Sequence, residues 1–149
     1  MNKNSAGNLL VLLTSAVILS GCATNTPQGV PGGIPIIDTH IHLYDAHRAS
    51  GVDWPPASDK VLFRSVLPEH YDAVCRENGI EATVIVEASS RVEDNQWVLD
   101  LVKHNPKRYI ALVGSLPIGS DGFAVLLERY SKDDRYVGIR MRDRPGGDD

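Results

Sequence analysis

The chain lacks a basic block. Its 149 residues carry 15 Lys and Arg against 19 Asp and Glu, a formal net charge of −4, so nothing in the composition suggests nucleic acid as a partner. It also lacks a hydrophobic run long enough to cross a bilayer. The longest apolar stretch, Leu9 to Leu19, is about half of the ~20 residues that a membrane-spanning helix needs. Cysteine is scarce, with only Cys22 and Cys75 present. What remains is an ordinary apolar fraction of 42%, which places the chain among globular proteins and excludes disordered and fibrous classes.

The short apolar stretch follows a polar start containing Lys3, an arrangement that suits a secretory signal peptide. Leu19-Ser20-Gly21-Cys22 resembles the bacterial lipobox, which implies cleavage before Cys22 and a lipid on that cysteine. Residues 1–21 are then the signal peptide, and residues 22–33 the lipidated cysteine with a Pro/Gly-rich tether. The mature protein would be held in the bacterial cell envelope, with Thr24 after Ala23 resembling lipoproteins passed to the outer membrane, facing the periplasm. With Cys22 consumed by lipid, Cys75 has no bridging partner and reads as a buried structural thiol on an amphipathic helix.

The folded part is expected over residues 34–143, followed by a polar tail, 144–149. Strand and helix signals alternate along it. Strands are predicted at Ile36–Leu43, Thr83–Ala88, Tyr109–Leu116 and Tyr136–Met141. Helices are predicted near Pro68–Asn78, Arg91–Asn105 and Phe123–Ser131, with a long loop after the first strand. Pro68 suits a first helical turn and Gly79 a left-handed cap. Ser90 to Glu93 fits a capping box, and Phe123, Leu126, Leu127 and Tyr130 form one apolar stripe. This βα alternation implies α/β architecture with a parallel sheet and covering helices. Four strands and three helices make half of a (β/α)8 barrel of the TIM type, and the sequence is read as a chain truncated to about four βα units. A complete small four-stranded α/β domain is the alternative.

In the first strand, "PIIDTHIHLYD", His40 and His42 interrupt a β-branched run at a spacing of two. Alternate strand residues share a face, so both imidazoles are expected to point into one cavity. Together with "VDWPP", "VEASSRVEDNQWVLDLVKHNP" and "YVGIRMR", this stretch resembles the amidohydrolase superfamily. More closely, it resembles the branch that holds sugar-lactone and dicarboxylate-lactone hydrolases and some decarboxylases, over about Ile36 to Arg142. The resemblance implies that His40 and His42 bind a divalent metal, usually zinc, although some relatives keep the histidines and work without metal. Neutral imidazoles suit zinc, and the implied reaction is hydrolysis of a lactone, ester or related carbonyl. The family's further ligands and catalytic aspartate lie on strands that this pattern does not supply, so the chain is expected to be inactive or nearly so alone.

Barrel sites form at the C-terminal ends of strands, which nominates Glu87, Arg140 and Arg142 as catalytic candidates, the arginines as cations for an anionic or polyhydroxyl small molecule. Glu87 has a structural alternative, pairing with an arginine, and both arginines could be solvated on an edge strand. Trp54 either lines the substrate mouth or plugs the barrel top, and His47 is a weaker candidate. His70 and His104 read as solvent-facing, and Trp97 with Leu101 as helix core. Two other classes stay open: a non-catalytic lipoprotein that binds metal or a partner, and a broken gene product that never folds stably.

Overall fold

The computed structural model describes residues 33–141. The expected signal peptide, Cys22, the tether up to Gly32, Arg142 and the polar tail lie outside the described residues. In chain order the elements are β1 (Ile36–Ile41), β2 (Tyr44–Asp45), β3 (Ser65–Val66), α1 (Pro68–Asn78), β4 (Ile80–Val86), α2 (Val92–Val102), β5 (Tyr109–Gly114), α3 (Phe123–Tyr130) and β6 (Tyr136–Ile139). β1, β4, β5 and β6 form one sheet in that order, all neighbours parallel. This is the α/β architecture of a partial (β/α)8 barrel, with a helix between each pair of consecutive sheet strands.

Chain chemistry explains the helix ends. α1 begins at Pro68 and stops at Gly79, whose φ of 67° is open to glycine and whose N–H donates to the Cys75 carbonyl. His70, exposed as expected, also closes the first turn: its Nδ1 accepts from the Leu67 N–H at 3.1 Å. The capping box expected at Ser90 is absent. The residue before α2 is Arg91, while Ser90 Oγ donates to Asp53 Oδ2 at 2.6 Å. A hydroxyl that finds a carboxylate across the fold no longer serves its own helix. In α3, Phe123, Leu126 and Tyr130 pack on the core, but Leu127 falls outside the stripe and is 37% exposed.

Every sheet strand stops short of its expected C-terminal end: β1 before His42, β4 before Glu87, β5 before Ser115 and β6 before Arg140. The apolar pattern runs on because Leu43, Ala88 and Leu116 remain buried after the ladder has ended. β4 starts three residues earlier than expected, at Ile80. The long loop after β1 contains a pairing too short to show periodicity, with Tyr44 opposite Val66 and Asp45 opposite Ser65.

The core lies between the sheet and its helices, built from Ile41, Leu43, Ile85, Leu112, Tyr109 and Tyr136 of the sheet side and Val98, Leu99, Val102 and Tyr130 of the helices. Cys75 is fully buried. Asn95, also fully buried, ties α2 to the end of β5: its amide donates to the Ser115 carbonyl and its oxygen accepts from the Ser115 N–H, both at 2.8 Å. A buried amide satisfied in this way fixes the register of helix against strand.

Candidate active site at the C-terminal ends of the strands

The two histidines meet, but by a route that regular strand geometry does not supply. Asp38 pairs with Thr83 and Ile41 with Ile85, so three steps along β1 match two along β4. The extra residue makes a bulge around Thr39 and His40, and bulges re-aim side chains. Asp38 anchors it. Its Oδ1 accepts from the His40 N–H at 3.1 Å, its Oδ2 accepts from the Tyr71 hydroxyl at 2.7 Å, and its carbonyl accepts from Thr83 Oγ1 at 2.8 Å. His40 is exposed, His42 is half-buried one residue past the strand, and their ring centroids lie 5.1 Å apart at 87°.

His42 Nδ1 lies 2.7 Å from the Val86 carbonyl. A carbonyl oxygen only accepts, so Nδ1 is the donor in this pair. The contact is of the kind that orients histidines around a metal. Trp54 packs edge-on against His42, with centroids 5.6 Å apart, and against Tyr44 at 5.3 Å. Glu87 follows β4 directly and is 3% exposed. Its Oε1 accepts from the Ser89 N–H at 2.8 Å, and burial raises its pKa to about 7, with nearby Asp94 adding to the rise. Glu87 and Trp54 share a small cavity with Leu43, Tyr44 and Arg48.

Arg140 follows β6 directly, and its guanidinium donates to the Glu87 carbonyl at 3.1 Å. The structure therefore brings His40, His42 and Trp54 into one group, with Glu87 beside Trp54 and Arg140 tied to the Glu87 backbone. His47 lies apart, edge-on to Phe63 at 5.7 Å. His104 is exposed in the turn after α2. Trp97 packs against the core and lies under the Arg48 guanidinium at 4.8 Å. Among the described residues no three His, Cys, Asp or Glu side chains gather as a metal cluster. Sequence reasoning missed the charged group around Asp94, which is 2% exposed and paired with Arg48 and, at 3.4 Å, with Arg91. Its i,i+3 spacing from Arg91 was the one local signal; Arg48, its other partner, lies far off in the loop after β1.

A histidine pair and a buried carboxyl gathered at the C-terminal ends of parallel strands lie where barrel enzymes build their active sites. The amidohydrolase family model matches residues 37–149, and the chain belongs to that family. An L-fucono-1,5-lactonase from Burkholderia ambifaria is 25% identical over 104 residues, 70% of this chain and 35% of the lactonase. An amidohydrolase from Burkholderia multivorans crystallised with HEPES superposes with a TM-score of 0.62 at 23% identity, over 73% of this chain and 37% of that one. The same amidohydrolase crystallised with zinc gives a TM-score of 0.56 at 24% identity, over 72% and 36%. The chain thus spans about a third of the length of these relatives.

Proposed function

We propose that this chain carries the first-strand half of a metal-dependent amidohydrolase site that hydrolyses a lactone, ester or related carbonyl compound. The observation that carries the reading is the bond between His42 Nδ1 and the Val86 carbonyl, with His40 held alongside. It fixes the orientation of the imidazole as an outer-shell carbonyl does for metal-binding histidines, which fits a divalent ion such as zinc. The lactonase relative supports the carbonyl chemistry, and the zinc-containing amidohydrolase supports the ion. When bound, such an ion polarises a carbonyl oxygen as a Lewis acid.

The remaining steps belong to side chains. His40 and His42 hold the ion, and Trp54 walls the His42 side. Glu87 exchanges a proton near neutral pH, as a general acid or base must. Arg140, with Arg142 two residues on, offers positive charge to an anionic or polyhydroxyl small molecule. The chain is held at the cell envelope through a lipid on Cys22.

A second reading, a non-catalytic metal-binding lipoprotein, is favoured by the lack of a third metal-ligating side chain at the histidine pair among the described residues. One experiment addresses both. Zinc is expected to raise the melting temperature, since a ligand at a hundredfold excess over Kd stabilises by ~2.7 kcal/mol. The shift should weaken in acid, where imidazole no longer binds metal, and be mostly lost in His40→Ala or His42→Ala. An equal shift in the double variant would overturn the assignment. Lactone turnover above buffer by the 149-residue chain, lost in His40→Ala, would overturn both readings in favour of a complete small α/β enzyme.

A further inference from the structure

We propose that Arg91 and Asp53 are positioning residues for the histidine site, a clasp between two loops that holds the Trp54 ring against His42. This deepens the reading above, since His42 is there a metal ligand. Trp54 lies twelve residues beyond His42, in the loop after β1, so nothing local dictates their contact. The contacts that place it come from the segment after β4. Asp53 Oδ2 accepts from Ser90 Oγ at 2.6 Å and from Ser89 Oγ at 3.3 Å, and its Oδ1 lies 3.5 Å from Arg91 Nε. Arg91 reaches back over the same loop, its Nη1 donating to the Ser50 carbonyl at 2.7 Å and its Nη2 to the Gly51 carbonyl.

A second arginine strengthens the clasp from inside. Arg48 Nε donates to the Gly51 carbonyl at 2.8 Å, and its Nη2 pairs with buried Asp94, which also faces Arg91 Nε at 3.4 Å. The hydroxyl of Ser90, with the charge of Arg91, holds the Asp53 carboxyl below its ordinary pKa. One short segment, residues 86–91, therefore sets both members of the pair: Val86 orients His42 through its carbonyl, and Ser89 to Arg91 hold the residue preceding Trp54. A planar guanidinium forked onto two carbonyls is a geometry that lysine does not reproduce.

The test uses the full chain carrying Trp97→Phe. With two tryptophans in the sequence, Trp54 is then the lone indole emitter. Arg91→Ala is expected to move its emission to longer wavelength and raise acrylamide quenching about twofold, as a loosened loop exposes the ring. Ser90→Ala and Arg91→Lys should give intermediate shifts with an unchanged far-UV spectrum. If Arg91→Ala fails to fold, those two milder variants decide. Parent-like emission and quenching in folded Ser90→Ala, Arg91→Lys and Asp53→Asn would overturn the clasp. Cobalt(II), which quenches a nearby indole, separates this inference from the metal reading. Quenching in the parent that falls in Arg91→Lys supports both. A parent untouched by cobalt, with the acrylamide differences intact, supports the clasp and removes the metal.

Discussion

Glu87 shows how one residue couples the site to stability. Its carboxyl is 3% exposed and its pKa is raised from 4.5 to about 7, chiefly by burial. Between those values the folded protein holds a proton that the unfolded chain releases, so stability falls as pH rises through that window and the loss is complete above about 7. A shift of this size corresponds to about 3 kcal/mol. Glu87→Gln keeps the Oε1 acceptor for the Ser89 N–H and removes the titration. Urea melts are expected to show the variant more stable than the parent at pH 8 by up to this amount, with the difference vanishing near pH 4.5. A parent whose midpoint is flat across that range would contradict the burial argument. The two histidines were visible in the sequence at this scale, but the bulge that brings their rings together was not, because an inserted residue shows only when β1 is matched against β4.

At the scale of the element, strands and helices were legible where a local signal repeats: Pro68 and Gly79 mark the ends of α1, and the predicted and observed helix coincide. The strand ends were less so, since burial continues after the ladder stops. One close contact is the business of two elements together. Gly114 at the end of β5 faces the Tyr136 ring and Asn95 Oδ1, and an added Cβ would collide with both. Tyr136 in turn stacks on Tyr130 with centroids 5.2 Å apart. Gly114→Ala therefore forces β6 or α2 to move, and overpacking of this kind costs roughly 1–3 kcal/mol. Thermal melts should show a clear loss, whereas Gly138→Ala, whose Cβ would meet Val113 at 3.6 Å, should be mild by comparison.

For the whole molecule the questions are where the chain resides and whether it turns over substrate. The proposed lipid anchor predicts that cells fed a clickable fatty acid label this protein, and that Cys22→Ser abolishes the label while precursor accumulates. An unlabelled, aqueous wild-type protein would sink the anchor. The catalytic prediction rests on the proposed partial site, in which two imidazoles supply two of the three protein ligands usual for catalytic zinc. Lactonase assays on the 149-residue chain are expected to stay at buffer rates, because catalytic residues act as a set.

The sequence by itself determined the βα alternation, the parallel α/β class, the amidohydrolase kinship and the presence of two histidines at the end of the first strand. The alternation, the class and the histidines are written in neighbouring residues, through periodicity, punctuation and spacing, and the kinship in the resemblance of whole motifs to a family. Only the tertiary structure decided the rest. The bulge that sets His40, the Val86 carbonyl that fixes the His42 proton, the burial that lifts Glu87 and the Asp53–Arg91 clasp all join residues from different loops and strands. Burial and hydrogen bonding depend on what folds over a group, and that is set by chain segments far away in sequence.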